Sequence, residues 1–216
     1  MVYKIQNSLK NKKVLVTLGP TWIPIDDTRV LSNVSSGALG QMIAEELDKQ
    51  DAKVTVFQGP TQCQIKSARI RVFHFKFFDE LKALLNRALK NNFDIIIHAA
   101  AVSDYKLKKN FKTKISSSLK TLKLELIPNE KLIDLIRRKN PKAYLVGFKL
   151  ISQINQSIAR KRSAELFKRA KCDLIIANSL ANKQYKGCIL NLNEIISWHN
   201  TRQGIAKALI AFLNKQ

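Results

Sequence analysis

An open, doubly wound α/β sheet, mainly parallel and with helices on both faces, is the fold class this sequence predicts. Three observations predict it. Short β-branched apolar runs end in glycine or small residues, segments with helical spacing alternate with them, and the two kinds follow one another as β-loop-α-β-α-β. Taken in order, "KKVLVTLG" reads as a buried parallel strand ended by Gly19. Leu39, Met42, Ile43 and Leu47 then recur at helical spacing, and "KVTVFQGP" is a second strand stopped by Gly59 and Pro60. "ARIRVFHF" alternates like a strand. "FFDELKALLNRALKNN" is an amphipathic helix with Leu81, Leu84, Leu85 and Leu89 on one side. "FDIIIHAAAV" is the most apolar strand and is expected at the centre of the sheet.

The next part departs from this rhythm. "SDYKLKKNFKTKISSSLK" is polar and basic and is expected to be a mobile loop, a flap, followed by a strand over "TLKLELI". Asn129 is the expected cap of a helix carrying Leu132, Ile133, Leu135 and Ile136. "AYLVGFKL" and "CDLIIAN" return to the buried-strand pattern, with a long basic helix between them. "GCILNLNEIISWHN" reads as a late hairpin, and "TRQGIAKALIAFLNK" as a closing helix. With no low-complexity linker and no internal repeat, a single domain over 1–216 is the simplest organisation.

Composition bounds the function. The 216 residues are 45% apolar, enough for one sizeable core, and no apolar run approaches the roughly 18 residues that span a bilayer. "MVYKIQNSLKNKK" has no continuous apolar stretch, so no secretory signal is expected. Cys63, Cys172 and Cys188 are an odd count without C-x-x-C spacing, which argues against a disulfide framework or zinc site and for a reducing cytoplasm. His74, His98 and His199 lie far apart, so no protein-held metal is expected. The net charge of +22 is extreme, and residues 106–171 hold 19 Lys/Arg against 4 Asp/Glu. Such a surface attracts nucleic acid, anionic lipid or phosphorylated small molecules, although a run of lysines is by default a solvated face.

In open α/β sheets ligands bind outside the carboxyl ends of the strands, and three segments fall there. In "GPTWIPIDDTRVLSNVSSGALG" a helix N-terminus and close-approaching glycines offer a phosphate cradle, while Ser35 and Ser36 read equally as N-caps and Gly37 and Gly40 as packing glycines. G-x-G-x-x-G is absent, and the gap from Gly19 to Gly37 is too long for a dinucleotide-binding turn, so a nicotinamide cofactor is disfavoured. In "HAAAVSDY" three alanines leave room for a flat base or sugar. Asp104 there is suited to a ribose, an amine or a magnesium ion, or simply to a turn. In "KLKKNFKTKI" a lysine-bearing flap is suited to closing over a triphosphate. Tyr105-x-x-x-Lys109 mimics a reductase pair, but it opens a polar loop instead of lying on a helix.

Together, "GPTWIPIDDTRVLSNVSSGALG", "QGP", "HAAAVSDY", "KTKI", "LVGFKL" and "DLIIAN" resemble, in order and spacing, the phosphopantothenate–cysteine ligase family over about residues 12–215. No counterpart of that family's fused flavin-dependent decarboxylase is present, so the resemblance is to the stand-alone form, without flavin. It implies a Rossmann-like, homodimeric, cytoplasmic enzyme that activates 4'-phosphopantothenate with CTP and nucleotide-associated Mg2+. The resulting acyl-cytidylate is attacked by the amine of L-cysteine, a step in coenzyme A biosynthesis. By resemblance, Asn33 and Lys114 are catalytic: Asn33 handles the acyl-cytidylate as a donor to the acyl oxygen, and Lys114 serves activation. Gly19, Ser35, Ser36, Gly37, Gly40 and Ala100 fall at substrate-binding positions. Asp104, Lys114, Glu130, Lys131, Leu132, Ile133, Phe148, Lys168 and Arg169 fall at nucleotide-binding positions. No metal ligand in the protein is implied. Trp22 replaces a common arginine, Ser116 and Ser117 replace flap lysines, and "GFKLIS" is closer to the form of stand-alone and eukaryotic-type members, some of which use ATP, which keeps ATP as the alternative nucleotide. The rival reading, a basic nucleic-acid-binding α/β module, predicts aromatics interleaved with the cations. Residues 106–171 supply only Phe111, Tyr144, Phe148 and Phe167, so neither a specific nucleic acid nor a membrane is an expected partner.

Overall fold

The computed structural model describes residues 9–181 and 184–215. In chain order, β1 (Lys13–Leu18) leads into a small hairpin, β2 (Trp22–Pro24) and β3 (Val30–Ser32). Then come α1 (Ala38–Lys49), β4 (Lys53–Gln58), β5 (Arg71–His74), α2 (Phe78–Ala88) and β6 (Ile95–His98). A second small pair follows, β7 (Tyr105–Leu107) and β8 (Leu126–Pro128), and then α3 (Leu132–Lys139), β9 (Tyr144–Leu150) and α4 (Gln156–Ala170). The chain closes with β10 (Leu174–Ala181), β11 (Gln184–Leu190), β12 (Ile195–His199) and α5 (Arg202–Leu213).

The main sheet has the order β12-β11-β10-β9-β6-β1-β4-β5. From β5 to β10 every neighbouring pair is parallel, and the two last pairs, β10–β11 and β11–β12, are antiparallel. Alternation along each strand splits the core in two. Val14, Val16, Ile95 and Ile97 join the α1–α5 layer, while Leu15 and Ile96 join the layer under α2, α3 and α4. Each such fully buried Val, Leu or Ile contributes about 1.5–3 kcal/mol. "FDIIIHAAAV" is central as expected, since β6 lies between β1 and β9 with all four residues buried. After β1 the chain winds towards β4 and β5; from β6 onward it winds the other way. The switch point therefore lies between the carboxyl ends of β1 and β6, where a crevice opens.

Three local expectations are corrected. Helix α3 starts from Lys131, not Asn129, and has no side-chain cap. Asn129 is buried instead, and its amide donates to the carbonyls of Ser103 (3.0 Å), in the loop after β6, and Tyr105 (3.1 Å), at the start of β7. The basic stretch begins as strand β7, and "TLKLELI" narrows to β8, because only Leu126–Pro128 finds a partner in Tyr105–Leu107. Finally, the cap of α1 is Gly37, in the left-handed region at φ 71°, rather than either serine.

Candidate functional site

The loops after β1 and β6 run together beyond the sheet. Ala101 donates its amide to the carbonyl of Gly19 (2.9 Å), Thr21 returns one to Ala101 (3.3 Å), and the Ser103 amide reaches Thr21 Oγ1 at 2.8 Å. Gly19 adopts φ 80°, a turn that L residues resist, and a Cβ there would come within 2.8 Å of the Thr61 methyl. Asn33 joins this pair: its Nδ2 donates to the carbonyls of Ala101 (3.2 Å) and Val102 (3.4 Å). Thus the segment from Asp26 to Gly40 is fastened to "HAAAV" through one side chain.

Two cavities meet at Asn33. A cleft of about 570 Å³ is lined by Asn33, Ala100, Asp104, the turn from Glu130 to Ile133, Phe148 and Arg169. A neighbouring cavity of about 890 Å³ is lined by Asn33, Ser35 and Ser36, with Gln41, Thr61 and Cys63 opposite. Fully exposed Val34 rims both. The structure thus brings together most of the candidates named from the sequence. Lys168 and Lys114 are exposed and line neither cavity. Gly19, Gly37 and Gly40 shape the walls rather than line them. A Cβ on Gly40 would approach Leu18 Cβ to 2.6 Å, so Gly40→Ala is expected to cost about 1–3 kcal/mol in urea unfolding through overpacking.

Charges in the cleft are mutually engaged. Asp104 pairs with Lys131 at 2.6 Å, Glu130 with Lys82, and Arg169 with Asp134 and, at 3.7 Å, Glu165. A phosphate entering here would compete with carboxylates for Lys131 and Arg169. Among the described residues no group of three His, Cys, Asp or Glu side chains converges to hold a metal ion.

Two functional features escaped sequence reasoning. The first is His98, which lines the cleft. Thr17 Oγ1 accepts from the Ala100 amide (3.3 Å) and shares a hydrogen bond with His98 Nδ1, 2.8 Å away. Burial drives the imidazole pKa from 6.5 down to about 4, so the ring is neutral at physiological pH. Because the folded pKa is depressed, this neutral ring supports the fold above pH 6.5. That support is lost as pH falls through about 4, a loss of about 3 kcal/mol. His98→Gln is expected to flatten the stability profile between pH 7 and pH 4; an unchanged slope in urea titrations would contradict this. A polar residue ending each of two buried strands, "VLVT" and "IIIH", was the available signal.

The second is Asp26, whose side chain is fully enclosed. Its Oδ1 accepts from the Thr28 and Arg29 amides and the Thr28 hydroxyl, and its Oδ2 accepts from Arg29 (2.6 Å) and from the Ile115 amide (3.0 Å). Arg29 also donates to the Ile115 carbonyl at 3.2 Å. The β2–β3 turn therefore clasps the basic flap one residue beyond Lys114.

Fold and site together define a Rossmann-like α/β domain with a nucleotide-sized cleft at its topological switch point. The chain belongs to the family described as the DNA/pantothenate metabolism flavoprotein C-terminal domain, whose model matches residues 9–209. The family resemblance read from the sequence motifs is thereby borne out. The chain is 35% identical over 174 residues to the coenzyme A biosynthesis bifunctional protein CoaBC of Thermococcus kodakarensis, covering 80% of this chain and 42% of that protein. Against CoaBC of Borreliella burgdorferi the identity is 35% over 199 residues, covering 90% and 48%. The chain thus spans less than half the length of these relatives. Among solved structures, the DNA/pantothenate metabolism flavoprotein of Streptococcus pneumoniae superposes with a TM-score of 0.85 at 24% identity, covering 94% of this chain and 99% of that one. A Cab2 variant in complex with phosphopantothenate-cysteine superposes at 0.77 with 18% identity, covering 95% and 87%. These likenesses show the fold. No helix among the described residues is long and apolar enough to cross a membrane.

Proposed function

We propose that this domain joins 4'-phosphopantothenate to L-cysteine through an acyl-cytidylate formed from CTP. The observation that carries the reading is the meeting of two cavities at Asn33: one bounded by a serine-bearing loop beside a helix N-terminus, the other by small residues, Phe148 and the turn from Glu130 to Ile133. The first suits the phosphate and acyl chain, the second a nucleotide. The phosphopantothenate-cysteine bound by the related Cab2 variant supports the same assignment.

In the activation step the substrate carboxylate attacks the α-phosphorus of CTP, the α–β phosphoanhydride breaks, and pyrophosphate leaves. Lys131 and Arg169, on the cleft wall, neutralise phosphate charge once released from Asp104 and Asp134. Lys114 reaches the site only by movement of the flap, with Ile115 as its pivot on Asp26. Asp104, a carboxylate of the cleft wall, would meet a magnesium ion carried on the nucleotide's phosphates, which would supply charge neutralisation there. In the second step the cysteine amine attacks the acyl carbon, CMP leaves and the amine sheds a proton. The Asn33 amide hydrogens already serve Ala101 and Val102, so Asn33 presents Oδ1, an acceptor for the incoming amine. Donation to the acyl oxygen becomes available when the longer bond, to Val102, is given up. A homodimer is supported by the exposed apolar Val30, Leu31 and Val34, which flank the site. Pyrophosphate release with phosphopantothenate and magnesium, comparing CTP with ATP in the absence of cysteine, tests the nucleotide: faster release with ATP would overturn the CTP assignment.

A further inference from the structure

We propose that a second ligand site, sharing no lining residue with the cleft, lies on the α2 face of β1, β4 and β5, with its cations at the amino ends of these strands, and takes a small anion with an aromatic or short acyl body. Parallel register places Lys13 beside Lys53, Thr55 beside Arg71 and Phe57 beside Phe73. Because side chains alternate along a strand, all six lie on one face, the face covered by α2. Together with Leu84, Arg87 and Phe93 they line a cavity of about 370 Å³, the size of a small-molecule site rather than a macromolecular surface.

Its floor is aromatic: the Phe57 and Phe73 rings meet edge to face at 5.9 Å and 86°. Phe73 is 47% exposed although it faces this cavity, so an apolar surface is left open there. Its rim is cationic and uncompensated. Lys13, Lys53, Arg71 and Arg87 form no ion pair among the described residues. Asp94, the acid closest in sequence, is turned to Lys12 (3.9 Å) and to the Lys13 amide (2.7 Å). Like charges directly opposite one another on adjacent strands repel, a cost that a bound anion relieves. Lysines on a solvated face need no aromatic floor, and an apolar packing groove needs no four cations. Here the two coincide.

The test is a titration of the isotopically labelled full chain with 1-naphthyl phosphate, followed by amide NMR, alongside inorganic phosphate and 1-naphthol. Saturable shifts at residues 53–57 and 71–73, with a Kd below about 1 mM, are expected. Both comparison compounds should bind at least about tenfold more weakly, and Lys53→Gln combined with Arg71→Gln should weaken binding by about tenfold or more. Should that double variant not fold, Arg87→Gln, on the exposed side of α2, is expected to weaken binding several-fold. Shifts confined to residues 100–104 and 130–133 would overturn the proposal, since the probe would then be occupying the cleft. Equal binding of inorganic phosphate, equal binding of 1-naphthol or wild-type affinity in a folded variant would overturn it as well. Because none of these readouts uses catalysis, failure here leaves the ligase reading standing.

Discussion

Asn33→Ala is expected to release about one equivalent of pyrophosphate per subunit from phosphopantothenate and CTP and then to stall before amide formation. The expectation follows from position. Asn33 is the polar side chain shared by the two cavities, and its amide links the loop after β3 to the carbonyls of Ala101 and Val102. Removing it leaves the nucleotide wall of Asp104, Lys131 and Phe148 in place, so activation survives, while the group that meets amine and acyl carbon is lost. Losing one polar contact to a developing charge costs about 100-fold to 1,000-fold in rate, and product formation should fall by that much. Quenched-flow measurement of pyrophosphate and of amide product separates the two steps. Product formation at the wild-type rate would remove Asn33 from the chemistry. Loss of the pyrophosphate burst would move it to the activation step.

Asp26→Ala is expected to free the flap and, through Lys114, to suppress the first step. The carboxylate is held well below its ordinary pKa, foremost by the Ile115 amide and further by Thr28 and Arg29. A depressed carboxylate pKa means that the clasp contributes fully above the ordinary value of about 4 and that this contribution is lost progressively as pH falls from there through the lower folded-state value. In the variant, amide hydrogen exchange over residues 108–118 should accelerate at neutral pH by about tenfold or more. Pyrophosphate release should drop in kcat with little change in KM for phosphopantothenate, whose proposed cavity the clasp does not touch. Lys114→Gln should reproduce the kinetic loss without the exchange. Unchanged exchange in Asp26→Ala would mean that the flap is anchored elsewhere.

What could be read in advance, and what could not, follows from where the information lies. "VLVTL", "VTVFQ" and "IIIH" are legible as buried parallel strands because both of their faces are covered, so hydrophobicity alone marks them. The pairs β2–β3 and β7–β8 are three residues a strand and largely exposed, and only β8, inside the strand expected over "TLKLELI", leaves a trace in the sequence. Asn129 carries the composition of a cap, but its partners lie in the loop after β6 and at the start of β7, which only the tertiary fold brings near. Asp26 meets Ile115 across 89 residues, a bond no local spacing encodes. The positions of Asn33, Ala100, Asp104, Phe148 and Arg169 around one cleft came from family resemblance; chemistry alone left cradle and packing readings open. Choosing between Lys168 and Arg169 required the rotational phase of α4, which turns Arg169 into the cleft with Glu165 and Leu166 and leaves Lys168 outside.

The most direct measurement is mass-spectrometric analysis of the complete reaction: purified chain, 4'-phosphopantothenate, L-cysteine, CTP and magnesium. Equal amounts of 4'-phosphopantothenoyl-cysteine and CMP are expected, neither forming when phosphopantothenate is withheld. Folded protein that yields no such product with either CTP or ATP would contradict the ligase reading.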